Sequence, residues 1–303
     1  MKSGSATKPS PPAMKPSLLD FISLTKPTIL LLVVLTGATA LVMEGSLTSD
    51  PLGFALAILG LALTGGAANA LNQYFERDID ALMERTKKKR PLPLGNLSPK
   101  VALVFALSLG VGSVLLFGFL FNLLSALLSL GTIIYYAFFY TLYLKPRIYQ
   151  NIVIGGAAGS MAPVIAWAAA TGGLNLTPWI LFLIIFFWTP PHFWALALCV
   201  KKDYEKAKIP MLPVVKGDRE TVKQILIYTL WMVAFSLALL FVRAGLVYLL
   251  FALILNGIFL YKAFRLWRRG ALSEAWGLFG YSIVYLLVLF LGLMADAVWH
   301  KSL

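Results

Sequence analysis

Apolar residues run in long charge-free stretches, at 27–43, 51–75, 101–144, 148–200, 224–242, 244–261 and 275–295, with polar segments between them. A helix needs about 20 apolar residues to cross the hydrocarbon of a bilayer. Five of these stretches suit one crossing each, and two are double length. The first long one carries Gly118-Phe119-Leu120-Phe121-Asn122 near its middle, and the second carries Gly172-Gly173-Leu174-Asn175-Leu176-Thr177-Pro178. Gly, Asn and Pro in such clusters turn the chain. Splitting both stretches predicts nine transmembrane helices, an all-α polytopic membrane protein with its termini on opposite sides.

The polar segments set the rest of the organisation. Residues 1–20, rich in Lys, Ser and Pro, read as a disordered arm. Residues 21–303 then form one membrane domain. Ala38-Thr39-Ala40 resembles a signal-cleavage site, but the long polar preamble and the later spans make that segment the first transmembrane helix. Two polar loops, 76–100 and 201–223, are long for a compact membrane protein, and loops of that length usually carry function.

Composition agrees, with 59% apolar residues, 13% charged and a mean hydropathy of +0.82. A soluble globular domain is excluded, since such domains are about 25% charged. The net charge of +13 would fit nucleic-acid binding in a soluble chain. Here all the Lys and Arg residues except Arg243 and Lys301 fall on one side of the nine-span layout. That side is the cytoplasmic one by the positive-inside rule, which puts the N-terminus inside and the C-terminus outside. Nucleic acid is not a partner on this reading, and the lipid bilayer is. The uncharged span interiors argue against a proton relay or ion path, and so against a transporter or channel. Cys199 is the sole cysteine, so no internal disulfide forms.

Chemistry is expected in the two loops. If the second span continues as a helix through Asn72-Gln73-Tyr74-Phe75-Glu76-Arg77-Asp78-Ile79-Asp80, then Asn72, Glu76 and Asp80 stack at i, i+4 and i+8 on one face, with Asp78 pointing elsewhere. Three oxygen side chains in a ladder suit Mg²⁺, which takes one or two carboxylates and completes its shell with substrate phosphates. The alternative is a helix end laced with surface ion pairs. The run Arg85-Thr86-Lys87-Lys88-Lys89-Arg90-Pro91 follows. Beside a divalent ion such cations make a diphosphate site, and alone they would attract anionic lipid heads.

The second loop opens after Trp188-Thr189-Pro190-Pro191-His192-Phe193-Trp194, and Asp203 follows its span end as Asp80 follows the first. Two acidic loops over one cavity would give a two-metal clamp on a diphosphate. Pro190 and Pro191 are expected to disturb the helix and free carbonyls near His192.

These segments, with Arg90-Pro91-Leu92-Pro93, Asn151-Ile152-Val153-Ile154-Gly155-Gly156-Ala157-Ala158-Gly159, Ile209-Pro210-Met211-Leu212-Pro213-Val214-Val215 and Lys26-Pro27, resemble the UbiA superfamily of intramembrane prenyltransferases, and within it the haem-farnesylating branch. The resemblance covers residues 21–295. It implies a UbiA-type bundle of nine helices around a lipid-facing cavity, capped by the acidic loops. It implies Mg²⁺ and prenyl diphosphate at Asn72, Glu76 and Asp80, with Asp203 from the second motif. Lys202 and Lys208 depart from the family pattern there, which brings Glu205 and Asp218 into view as further acidic groups. Lys145-Pro146-Arg147-Ile148 departs as well. Arg77, Arg85, Lys89, Arg90, Lys145 and Lys202 are the candidate diphosphate cations.

The resemblance further implies transfer of farnesyl from farnesyl diphosphate to a vinyl group of haem B, with water addition giving haem O. A haem A synthase or a terminal oxidase would use that product. An aromatic acid or quinone precursor is the alternative acceptor. His192 reads either as a buried histidine satisfied by a freed carbonyl or as an axial ligand of haem iron. Trp188 and Trp194 read as core or as rings stacked on the porphyrin. The small-residue faces at Gly155, Gly156 and Gly159 and at Gly65 and Gly66 read as close helix packing. The arm lacks the Arg-rich pattern of a mitochondrial presequence, which points to a prokaryotic plasma (inner) membrane.

Overall fold

The computed structural model describes residues 16–302. The arm's first fifteen residues, with Lys2, Lys8 and Lys15, lie outside the described residues, as do the side chains of His300 and Lys301. Among the described residues, nine helices are long and apolar enough to cross a membrane. The expected count is matched.

Short α1 (Leu18–Leu24) leads into α2 (Pro27–Glu44) and α3 (Pro51–Asp80). The first loop carries α4 (Glu84–Lys87) and ends at α5 (Pro99–Leu120). Next come α6 (Leu123–Ile134), a π-helix at Tyr135–Leu144, and α7 (Lys145–Arg147). The fifth span is α8 (Asn151–Gly159) plus α9 (Ala162–Thr171), and the sixth is α10 (Leu176–Cys199). The second loop holds α11 (Lys201–Lys206) and α12 (Leu212–Val215), before α13 (Gly217–Ala238), α14 (Leu246–Arg269) and α15 (Leu272–Ser302).

The expected breaks occur where the turn chemistry put them. Asn122 caps α6 through a bond from Ser125 N, and Gly172 ends α9 in the left-handed conformation before Asn175 caps α10. Two departures stand out. The arm is expected to be disordered over 1–20, but α1 begins at Leu18 and takes in its last described residues. Ser17 and Asp20 form a reciprocal capping box at the start of α1, which satisfies two helix-end donors. Asn96 then holds Asp20 across 76 residues of sequence. Moreover, α10 runs unbroken through Pro190 and Pro191. Two adjacent prolines forfeit two backbone bonds, and packing against neighbouring helices lets the helix tolerate them.

Uncharged polar side chains tie the spans together. Tyr285 donates to Asn256, and Asn256 to Ser236, linking α15, α14 and α13. Thr64 and Ser129 bond at 2.7 Å between α3 and α6. Such bonds and close packing replace the hydrophobic effect as glue between helices in lipid. Gly155 lets α8 approach the Tyr140 ring, since a Cβ there would lie 2.1 Å from it. The packing reading of that face holds at Gly155.

At 30 residues, α3 is about 45 Å long, half again the hydrocarbon thickness. Its last turns therefore project beyond the apolar layer, beneath the two loops.

Candidate active site

The last turns of α3 carry the site. Asn72, Glu76 and Asp80 share one face, and each is only 2% exposed. Asp78 points away, with its side chain 85% exposed. The ladder is buried rather than solvated, which removes the surface ion-pair alternative.

Each rung is held by a cation from a different segment. Lys26, at the start of α2, donates to Asn72 Oδ1 at 2.7 Å. Lys145, just past the π-helix, donates to Glu76 Oε1. Arg90, from the first loop, donates to Asp80 Oδ2 and lies 3.6 Å from Glu76 Oε2. Three basic side chains thus meet two carboxylates and one amide oxygen.

Local structure explains the placement. Asn72 Nδ2 donates to Thr141 Oγ1 at 3.0 Å, and Thr141 donates to the Tyr136 carbonyl five residues back. That five-residue step is the π-helical register, which occurs often at functional sites. It turns Thr141 toward Asn72 and delivers Lys145 to Glu76. Asn69 and Gln73 donate to the carbonyls of Thr25, Ser23 and Leu24, pinning the α1–α2 turn to α3. Lys26 there has φ 53°, a left-handed backbone that is strained for a lysine. Burial, with Arg90 close by, pushes its ammonium well below the usual lysine range, while Glu76 pulls it up. Thr86 donates to the Asp80 carbonyl at 2.8 Å and folds the loop back so that Arg90 reaches the ladder.

Other expected site residues are not gathered here. Arg77 lies over the Tyr74 ring, with its guanidinium carbon 5.0 Å from the centroid, and pairs with Asp78. It sits one residue past Glu76 and so on another helix face. Lys89 and Lys202 are exposed. Asp203 does not join the carboxylates, since its Oδ2 accepts from the Arg85 backbone N–H at 3.1 Å. Lys206 reaches Glu84 nearby at 3.5 Å, so the two loops bind each other. Tyr204, whose hydroxyl is pushed up by burial, seals this junction beside Arg85. Asp218 pairs with Lys201, and Glu205 is exposed. Among the described residues no three of His, Cys, Asp and Glu come together. The expected two-metal clamp is thus not assembled.

A second cluster lies on α10, below the loops. His192 stacks between Trp188, at 4.5 Å and 16°, and Phe279, at 4.8 Å and 28°. Its Nδ1 lies 2.7 Å from Ser282 Oγ on α15, and Trp188 Nε1 donates to the Ser282 carbonyl at 2.8 Å. The partner of His192 is this hydroxyl rather than a carbonyl freed by proline. Trp194 is not part of the cluster. It packs edge-to-face on Tyr228 in the core, because two residues along a helix reverse the face.

Lys26, Thr141 and Ser282 were missed as site residues. Lys26-Pro27 was visible as part of the resemblance, whereas nothing local marks Thr141 or Ser282.

The donor set suits Mg²⁺. Two carboxylates and an amide oxygen share one face, and all three are already matched to positive charge, as a hard cation would match them.

The UbiA prenyltransferase family model matches residues 30–294. A protoheme IX farnesyltransferase of Erythrobacter litoralis (strain HTCC2594) is 46% identical over 296 residues, covering 96% of each chain. Among solved structures, a digeranylgeranylglyceryl phosphate synthase superposes with a TM-score of 0.76 at 18% identity, over 93% of this chain and 99% of the other. A UbiA homologue from Archaeoglobus fulgidus bound to DMAPP and Mg²⁺ gives 0.65 at 16%, over 89% and 99%. The fold is that of an intramembrane prenyltransferase. The chain belongs to the UbiA prenyltransferase family and, within it, to the protoheme IX farnesyltransferases. It is an integral multi-pass membrane enzyme that transfers a prenyl group.

Proposed function

We propose that the chain moves a farnesyl group from farnesyl diphosphate to a vinyl group of haem B, giving haem O in an Mg²⁺-dependent reaction at the α3 ladder. The observation that carries this is the buried Asn72–Glu76–Asp80 face ringed by Lys26, Arg90 and Lys145. Bound there, Mg²⁺ supplies charge neutralisation for the departing diphosphate.

The residues of the chain do the rest. Glu76, Asp80 and Asn72 offer oxygens for the metal. Lys26, Arg90 and Lys145 turn from those oxygens to the phosphate oxygens, where positive charge lowers the barrier most. The C1–O bond breaks with its electron pair on the diphosphate, and the allylic cation is attacked by the vinyl π-bond. Water captures the new cation beside the macrocycle and loses a proton. Aromatic walls, half-buried Tyr136 and buried Tyr140 among them, exclude water until then. Asp203 acts indirectly, holding the first loop over the ladder through Arg85.

His192 binds the haem iron, about 10 Å below the end of α10, with Trp188 stacked on its ring. The loop-bearing face is cytoplasmic in a prokaryotic plasma membrane, because nearly all the cations gather there. Released haem O passes to a haem A synthase or a terminal oxidase.

The test is diphosphate release from farnesyl diphosphate by the purified protein. Release that requires both Mg²⁺ and haem B supports the reading. Release that requires hydroxybenzoate instead favours an aromatic-acid acceptor and overturns it.

A further inference from the structure

Ser282 lies on α15, 90 residues from His192 and outside every motif of the two loops. Its side chain is fully buried, and it makes two close contacts through one hydroxyl oxygen. That oxygen lies 2.6 Å from the Phe279 carbonyl oxygen and 2.7 Å from His192 Nδ1. A hydroxyl has one proton to give. A carbonyl has none, so the contact with Phe279 can be bridged only by the Ser282 proton. The contact with His192 must then be bridged by a proton on Nδ1. A neutral imidazole with its proton on Nδ1 carries a bare lone pair on Nε2.

The rest of the cluster removes the ring's freedom to choose otherwise. Trp188 and Phe279 bracket the imidazole on both faces, and Phe193 abuts its edge at 5.1 Å and 85°. Trp188 is itself anchored to the Ser282 backbone carbonyl. One residue thus fixes the tautomer of the histidine through its side chain and the position of the stacking indole through its main chain. A histidine that ligates a metal commonly donates its other ring N–H to such a partner, which sets tautomer and orientation and raises the basicity of the ligating nitrogen.

We infer that Ser282 is a positioning residue that holds His192 as its Nδ1–H tautomer and presents Nε2 to the iron of the haem substrate. The inference rests on the haem-binding role of His192 proposed above and adds the residue that makes the nitrogen available. Ser282 does not touch the reacting vinyl group.

Two measurements test it on the full-length protein. In haem-free protein labelled with ¹⁵N-histidine, with His300→Gln to assign the two rings, the proton is expected on Nδ1 and the unprotonated shift on Nε2. The reverse pattern overturns the inference. Ferric haem B is then titrated into the parent, Ser282→Ala and His192→Ala, reading the Soret band and the low-temperature EPR spectrum. Ser282→Ala is expected to weaken haem binding about ten- to a hundredfold and to spread the EPR signal over several ligand orientations. His192→Ala loses the histidine signature altogether. If Ser282→Ala matches the parent while His192→Ala loses the signature, the role of Ser282 fails and the iron ligand stands. If His192→Ala keeps the parent spectrum, the iron-ligand reading itself fails.

Discussion

Lys26 Nζ donates to Asn72 Oδ1 at 2.7 Å across 46 residues of sequence, from a backbone held at φ 53°. Two costs meet in this one residue, a buried ammonium and a left-handed conformation, and strain of this kind persists where the surroundings over-determine it. The surroundings here are Asn69 and Gln73, which clamp the turn before it. Lys26→Met should lower kcat/KM for farnesyl diphosphate about ten- to a hundredfold, the worth of one hydrogen bond to a charged group. Lys26→Gly should lose as much activity yet be more stable than Lys26→Met by about 1 kcal/mol. Steady-state kinetics and thermal unfolding separate the two effects, and a fully active Lys26→Met enzyme would remove the lysine from the site.

The ladder predicts a graded series. Asp80→Asn and Glu76→Gln should each cut turnover about a hundredfold or more while leaving the helical circular dichroism unchanged. Asp203→Asn should cost less, because Asp203 braces the loops through Arg85. Arg77→Gln should stay near the parent, since Arg77 faces Tyr74 and Asp78. Equal activity in Asp80→Asn and the parent would sink the assignment.

Removing divalent metal with a chelator should abolish turnover, and added Mg²⁺ should restore it. Full activity at saturating chelator would contradict a metal on the ladder.

Two glycines of one small-residue segment should behave oppositely. A Cβ at Gly155 would lie 2.1 Å from the Tyr140 ring, whereas a Cβ at Gly159 meets nothing within 4 Å. Gly155→Ala should destabilise the fold by about 1–3 kcal/mol, and Gly159→Ala should be tolerated. Thermal unfolding of the two variants decides it, and equal stability would show that the α8 contact with Tyr140 is loose.

Lys208 also sits at φ 53°, in the exposed second loop. Lys208→Gly should therefore stabilise the protein by about 1 kcal/mol by relieving that conformation, with turnover unchanged. A drop in melting temperature would mean that the lysine side chain holds the loop.

The span count and the ladder were legible because both rest on local spacing. Charge-free length fixes where a chain can cross a bilayer, and four-residue steps put Asn72, Glu76 and Asp80 on one face of any helix. What was illegible arises between distant segments. Arg77 and Arg90 look alike in the sequence, and only the fold of the loop through Thr86 decides that Arg90 reaches Asp80. Asp203 follows its span end much as Asp80 does, yet the neighbouring loop claims its carboxylate first. The π-register that turns Thr141 to Asn72 leaves no mark in an apolar run. Pro190 and Pro191 signalled a disturbed helix with carbonyls freed for His192, whereas the helix continues through both and His192 meets Ser282 from α15 instead.

The central claim is that this buried cluster joins farnesyl to haem. The most direct measurement is mass spectrometry of the haem recovered after incubating purified enzyme with farnesyl diphosphate, Mg²⁺ and haem B, with Asp80→Asn run alongside. The parent should yield haem heavier by a farnesyl group and a hydroxyl group, and the variant almost none. Unmodified haem from a folded, haem-binding parent would contradict the account.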